Sequence, residues 1–201
     1  MPVGLPAHSP AKGRLAESAV RPLLGDRKSS VFRIPSRRAV EASVAAEPSD
    51  QRERFLHACR IARETSDDSK AFAKQGFYIL PKVVEIDRFL RGHPDWIARV
   101  RETHPELAFW RLNGGQPLKL AKKIKSSVSA PGLDLRRDLL VKAGFARELV
   151  SQPAPKGAAA DDLVDALACA AIALRIEKGL AQSFPSSPPR DEFGLPMAIW
   201  A

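Results

Sequence analysis

The stretch from Asp161 to Leu174 is the feature that most constrains the fold of this chain. It consists of good helix formers without glycine or proline, and its apolar residues run almost all the way round a helix. This pattern is typical of a helix buried against a sheet and not of one lying on a surface. The sequence therefore predicts a central helix over residues 161–174.

Acidic side chains project from this predicted helix. Asp162 and Asp165 stand three positions apart and share a face, and Asp161 can reach the same side from four positions before Asp165. Asp161 and Asp162 could equally cap the helix, because carboxylates accept hydrogen bonds from its free N–H groups. Asp165 lies about one turn further in, where a buried charge requires a basic partner or a metal ion. A metal site and a buried ion pair both remain open.

Length and composition limit the class of protein. The 201 residues suit a single domain, and the composition near the end predicts an extended tail over residues 180–201 that packs on it. No apolar run approaches the roughly 18 residues needed to span a bilayer, so we expect a soluble, cytoplasmic protein. Cys59 and Cys169 have no metal-ligand spacing and are interpreted as reduced thiols.

The charge balance favours a polyanionic partner. The formal net charge is +9, the pI is about 9.9, and within residues 119–147 eight basic residues face two acidic ones, a net of +6. These basic residues form either a solvated helical face or a nucleic-acid patch in which Lys122, Lys123 and Arg136 contact phosphates. The eight are Lys119, Lys122, Lys123, Lys125, Arg136, Arg137, Lys142 and Arg147.

The remaining pattern is mostly helical. A helix capped near Asp50 is predicted by apolar spacing, and Pro105 at a first helical position indicates another. The predicted helices cover residues 12–24, 52–61, 82–91, 105–113, 118–127 and 133–143. A short strand is predicted around residues 97–100, and residues 194–200 form either a short edge strand or an anchor for Trp200.

Glu102 is a further candidate site residue. It follows the predicted strand, and strand ends that lead into loops often carry chemistry. The alternative is a surface ion pair with Arg99 or Arg101. His104 and Glu106, which follow closely, can be loop and helix-start residues.

Motifs in one order along nearly the whole chain resemble a known family. The two most specific are the His-Pro-Glu stretch within residues 102–109 and the Asp-Asp-x-x-Asp-Ala-Leu helix. The others are residues 1–6, residues 30–32 with Pro35 and Arg37, residues 81–83 with Glu85 and Asp87, Lys122-Lys123, Gly132-Leu133 with Arg136 and Leu139-Leu140, and residues 194–197. The chain is similar to uncharacterised bacterial and archaeal proteins described as predicted nucleases with an RNase H-like fold, and its acidic helix resembles the last helix of Holliday-junction resolvases.

This resemblance implies an α/β fold with an RNase H-like mixed sheet flanked by helices. It also implies a nuclease site in which carboxylates from separate elements converge on Mg²⁺ or Mn²⁺, hard cations that take oxygen ligands. Glu102, Asp162 and Asp165 are then the predicted catalytic and metal-binding residues, with Asp161 in reserve.

The start of the sequence departs from the family pattern. Family members begin with a Gly-x-Asp first strand and carry another Asp directly before the segment that here is residues 1–6. We therefore expect an N-terminally incomplete sheet, an exposed apolar face and a site that lacks its first-strand Asp. Two alternatives to the nuclease follow: a non-catalytic nucleic-acid-binding module using residues 119–147, and a truncated remnant.

Overall fold

The computed structural model describes residues 1–124 and 127–201. The architecture is mixed α/β, with about 51% helix and a small mixed sheet of three strands, which confirms the predicted fold class at this level. Among the described residues, every helix is too short or too polar to cross a bilayer. Lys125, one of the eight basic residues within residues 119–147, lies outside the described residues.

The chain forms two compact units. The first unit contains Met1–Ala19, Phe32–Glu102 and Ser183–Ile199. The second unit contains Val20–Val31, Thr103–Gln182 and Trp200–Ala201.

Helices are the main secondary structure of both units. Two 3₁₀ segments, Arg21–Ser30 and Pro94–Trp96, accompany them, and the first is kinked at Gly25, where φ is +52°. The α-helices are α1 (Leu15–Val20), α2 (Arg37–Ala42), α3 (Gln51–Glu64), α4 (Lys74–Phe77), α5 (Leu80–Gly92), α6 (Pro105–Leu112), α7 (Ala130–Lys142), α8 (Arg147–Ser151) and α9 (Ala160–Glu177).

The first unit has two apolar clusters. One contains Leu5, Phe77 and Val83, and it lies where α2 packs against α3 and α5. The other contains Val3, Leu90 and Leu195. Within the first unit, the second cluster packs the segment near residue 195 against α5 and the first residues of the chain, because burying these aliphatic side chains removes apolar surface from water.

Capping explains where α3 begins. The Oδ1 atom of Asp50 accepts a hydrogen bond from the N–H of Glu53 at 2.9 Å. A side-chain acceptor at this position satisfies one of the four backbone N–H groups that a helix start leaves free. The predicted helix with a cap near Asp50 is confirmed.

The second unit is organised around α9, which confirms a central helix, but the expectation that this helix is buried against a sheet is wrong because its main partners are other helices. Val164, Ala168 and Ile172 are buried along it. Its main packing partners are α6 and α7, and it also contacts α8. The near-continuous apolar pattern of this helix therefore serves helix–helix packing on more than one side.

Short strands complete the fold. The three-stranded sheet consists of β1 (Glu102–Thr103), β4 (Ser183–Phe184) and β5 (Ile199–Trp200), in the order β1-β5-β4. Of the two alternatives for residues 194–200, the edge strand is wrong in its position, because the strand that forms there, β5, lies between the other two. The Thr103 hydroxyl donates a hydrogen bond to the Trp200 carbonyl at 2.9 Å within the second unit.

In the part that the structure describes, the basic segment after Leu118 forms two short paired strands and not the helix predicted over residues 118–127, of which residues 125–126 lie outside the described residues. Strands β2 (Lys123–Ile124) and β3 (Ser127–Val128) pair antiparallel, with Lys123 opposite Val128. The N–H of Ser129 then donates to the Lys122 carbonyl at 2.8 Å. This pairing satisfies backbone groups of the two strands, so local helix propensity does not decide their conformation.

The predicted strand around residues 97–100 is also wrong. The N–H of Ile97 bonds to the Pro94 carbonyl and that of Val100 to the Trp96 carbonyl, so the segment is a local turn. Both side chains pack against the cluster of Val3, Leu90 and Leu195. The apolar spacing of Ile97 and Val100 therefore reflects a turn whose side chains face a core. The strand begins only at Glu102.

Candidate functional site

The first turns of α9 bring two carboxylates to one side of the helix. Asp161 and Asp165 are four positions apart, a spacing that makes them neighbours on a helical surface. The Asp161 side chain is only 3% exposed and the Asp165 side chain 20% exposed. The two acidic groups therefore lie in a largely desolvated part of the second unit.

Asp162 has a different role. Its Oδ2 atom accepts a hydrogen bond from the N–H of Ala159 at 2.8 Å, at the start of α9. This residue is exposed. Asp162 stabilises the helix start, whereas Asp161, the other residue interpreted as a possible cap, is buried and paired with basic side chains.

Two lysines of the basic segment neutralise this acidic pair. The Lys123 ammonium lies 2.8 Å from Asp161 Oδ2, and the Lys122 ammonium lies 3.5 Å from the same atom. Lys122 also donates a hydrogen bond to Asp165 Oδ2. The acidic pair is thus linked by charge-assisted contacts to Lys122 and to strand β2, which contains Lys123.

Each carboxylate nevertheless keeps one oxygen free. The Oδ1 atoms of Asp161 and Asp165 are buried and have no hydrogen-bond partner among the described residues. Buried oxygens of this kind are costly to leave unsatisfied. The pair therefore offers two acceptors to a cation, a donor group or an ordered water.

The environment separates the pKa values of the two acids. Burial raises the pKa of Asp165, and the negative charges of Glu106 and Asp161 add to this effect against the opposing Lys122. Burial also acts to raise the pKa of Asp161, but Lys123 and Lys122 outweigh it and hold that pKa below its usual range. Asp161 is consequently the more firmly ionised member of the pair.

Glu106 is another acidic residue of the second unit, and both of its carboxylate oxygens accept hydrogen bonds. Arg136 donates from Nη2 to both carboxylate oxygens of Glu106, at 2.7 and 2.9 Å, and from Nη1 to the carbonyls of Leu120 and Gly132. Arg136 is 0% exposed. The structure thus places this predicted phosphate-binding residue in the interior, where it joins α6 and α7.

His104 lies directly before the start of α6. Its Nε2 donates to the Ser30 carbonyl at 3.1 Å, while its Nδ1 atom is buried without a partner among the described residues. Burial lowers the pKa of this imidazole, and the charge of Lys122 lowers it further. The neutral tautomer that carries its proton on Nε2 fits these contacts.

Glu102 belongs to the first unit and is bound by a buried arginine. Arg14 donates from Nη1 to Oε2 at 3.0 Å and from Nη2 to Oε1 at 2.7 Å. The N–H of Val3 also donates to Oε2 at 2.8 Å. The surface pairing with Arg99 or Arg101 that the sequence left open is replaced by this buried contact.

The predicted residues are therefore distributed among several local environments. Asp165 lies beside Asp161 and Lys122, Asp162 is a cap, and Glu102 is held by Arg14. Among the described residues, no group of three or more His, Cys, Asp or Glu side chains is arranged to hold a metal ion. Asp161 had a usable signal in its spacing from Asp165, whereas the pairing of Glu106 with Arg136 joins residues 30 positions apart and had none.

Comparison with known proteins identifies the family. No curated protein and no solved structure gives a significant match to the chain. A protein family described as "Protein of unknown function (DUF429)" matches residues 1–190. Since this match covers nearly the whole chain, the protein belongs to the DUF429 family.

Proposed function

We propose that this protein hydrolyses phosphodiester bonds of nucleic acid with a divalent cation held by Asp161 and Asp165. One observation carries the proposal: both acids are oriented on one side of α9 and each has a buried Oδ1 atom without a partner among the described residues. The motifs that resemble predicted nucleases supply the reaction class, which the basic composition also favours.

A site with two carboxylates is chemically reasonable for such an ion. Mg²⁺ keeps several waters and is commonly bound by one or two carboxylates together with substrate phosphates. A bound Mg²⁺ or Mn²⁺ would activate water and stabilise the charge that develops on the phosphate. Asp161 and Asp165 therefore fit as protein ligands without a third acidic side chain.

The lysines have a complementary role in this proposal. Lys122 and Lys123 occupy the Oδ2 atoms of the pair and offset its charge. Their long, flexible stems allow the ammonium groups to turn toward a substrate phosphate. Lys123, with a side chain 43% exposed, is the better placed of the two to meet a polyanion.

The proposed ligand set differs from the predicted one because the oxygens of Glu102 and Asp162 already accept hydrogen bonds. Both oxygens of Glu102 accept hydrogen bonds from Arg14 or Val3, and an oxygen of Asp162 is used at the helix start. A cation would have to displace these contacts. The proposal therefore keeps Asp165 from the predicted trio and adds Asp161.

Conservative substitutions on α9 provide the test. Mn²⁺ binding is measured by isothermal titration calorimetry on the full chain, beside cleavage of single- and double-stranded DNA and RNA. We expect Asp161→Asn and Asp165→Asn each to abolish Mn²⁺ binding and metal-dependent cleavage. Asp162→Asn is the matched control, because it makes the same change on the same helix and should retain both activities.

Three outcomes distinguish the alternatives. Retained Mn²⁺ binding in folded Asp161→Asn and Asp165→Asn would contradict the proposal, and loss in Asp162→Asn alone would restore the predicted ligand. Salt-sensitive nucleic-acid binding without Mn²⁺-dependent turnover in the unmodified chain would instead support a non-catalytic binding module.

A further inference from the structure

The first unit contains a cavity that the proposed function does not use. It has a volume of about 240 Å³ and lies where the start of α3 faces α4. Its apolar wall includes Phe55, Leu56, Phe77 and Tyr78. All the lining residues belong to the first unit.

Aromatic rings dominate this wall. Phe55 and Phe77 meet edge to face with centroids 5.3 Å apart, and Phe77 and Tyr78 meet at 6.1 Å. Phe77 is buried, whereas Tyr78 is 54% exposed and Leu56 is 53% exposed. Large apolar side chains held at the mouth of a cavity leave surface that a ligand ring can cover.

Two unpaired cations border the same cavity. Arg52 and Lys74 line it, and neither side chain has a hydrogen bond or ion pair within the part of the chain that the structure describes. The lining residues include no Asp or Glu. This arrangement favours the binding of an anion, since the guanidinium group of Arg and the ammonium group of Lys are the groups with which proteins bind phosphate.

We infer that this cavity binds a nucleotide, with the base against Tyr78 and Phe77 and the phosphate near Arg52 and Lys74. Its volume is below the roughly 300–1,000 Å³ of pockets that enclose drug-sized ligands, so it suits one ring system with the phosphate outside. The inference goes beyond the proposed function, because it adds a non-catalytic site in another unit.

The same chemistry is present in a free mononucleotide and in one nucleotide of a single strand. The test therefore has two arms: calorimetric titration of AMP and UMP, and fluorescence anisotropy of a labelled single-stranded oligonucleotide. Ribose 5-phosphate, which has no base, is the reference ligand in the first arm. We expect AMP or UMP to bind at least about tenfold more tightly than ribose 5-phosphate if a stacked base contributes.

Variants at the cavity test separately how the Tyr78 ring and the Arg52 charge contribute to nucleotide binding. Tyr78→Ala should weaken nucleotide binding about tenfold, and Tyr78→Phe should restore it because the ring remains. Arg52→Gln should weaken binding severalfold, whereas Arg63→Gln on the same helix is the matched charge control and should not. Asp165→Asn should leave this binding unchanged, which separates it from the proposed nuclease site.

The outcomes decide the inference. Tyr78-dependent binding of AMP or UMP supports a free nucleotide, and Tyr78-dependent binding of the oligonucleotide alone supports a single strand. Equal losses in Tyr78→Phe and Tyr78→Ala, or in Arg63→Gln and Arg52→Gln, would overturn it. It would also be overturned if the amphiphilic anionic dye 8-anilinonaphthalene-1-sulfonate bound in a Tyr78-dependent way while no nucleotide did.

Discussion

Arg14 and Glu102 form a two-point ion pair in the interior of the first unit, with N···O distances of 3.0 and 2.7 Å. The same guanidinium also donates to Glu17 at 2.7 Å and to the carbonyls of Val3 and Gly4. The nearby carboxylates hold the pKa of Arg14 above its usual range despite its burial. Glu102 thus anchors Arg14, which in turn fixes the first residues of the chain.

Replacing Glu102 should reduce the free energy of unfolding and should not act through Mn²⁺ binding. Glu102→Gln leaves part of a buried guanidinium unpaired, and the remaining Glu17 contact places the expected loss toward the lower end of about 3–5 kcal/mol. Urea unfolding measures this change. Glu85→Gln, at an exposed pair with Lys82, is the control and should cost less than about 1 kcal/mol. A fully stable Glu102→Gln variant that has lost Mn²⁺ binding would restore Glu102 as a ligand.

Arg136 should likewise behave as a structural residue. Lysine cannot reproduce its two bonds to Glu106 and its bonds to two carbonyls, so Arg136→Lys should destabilise the protein by about 2–4 kcal/mol. Nucleic-acid affinity of the folded fraction should not change. The adjacent Arg137→Lys substitution is the control for stability. A large drop in affinity with unchanged unfolding would instead support direct phosphate contact by Arg136.

The contact between α7 and the preceding loop requires a glycine. A Cβ atom at Gly132 would lie 1.9 Å from the carbonyl oxygen of Ala121, which is backbone and cannot turn aside. Gly132→Ala should therefore displace the loop that carries Lys122, at a cost of about 1–3 kcal/mol or more. Thermal unfolding tests this expectation against Gly92→Ala, where nothing lies within 4 Å of the added atom. Equal melting temperatures for the two variants would contradict it.

His104 should make stability depend on pH. Burial lowers its pKa in the folded protein, so below its ordinary value of about 6.5 the unfolded chain binds more protons than the folded one. The contribution of neutral His104 to the free energy of unfolding should be fully present above that pH. It should be lost progressively as the pH decreases from 7 toward 5. Urea midpoints at several pH values should show a smaller decrease in His104→Gln than in the unmodified protein. The exposed His8 supplies the control, and an identical decrease in His104→Gln and His8→Gln would refute this role.

Lys122 should compete with a bound cation. Lys122→Gln removes the donor to Asp165, so Mn²⁺ affinity should rise about fivefold, which corresponds to about 1 kcal/mol for a half-buried pair. Calorimetry measures the affinity. Lys119→Gln makes the same change of net charge three residues earlier and should have a smaller effect. A decrease in affinity would show that Lys122 orients the carboxylates instead of occupying them.

The sequence alone determined the elements with strong local signals. The helix around Asp165, the α6 start at Pro105 and the Asp50 cap were predictable, because periodicity, a fixed proline φ and side-chain capping act over a few residues. It also predicted that Asp165 would need a basic partner or a metal ion.

Tertiary structure decided which partner each charge received. Arg14 meets Glu102 across 88 residues, and Lys122 meets Asp165 across 43. No local rule connects such positions, because the cost of burying a charge is met by whichever opposite charge the folded chain brings near. Packing likewise separated Asp161 from Asp162: the spacing of Asp161 from Asp165 put it on one side of α9, but only the folded chain decided that this side is buried and that Asp162 caps the helix in solvent.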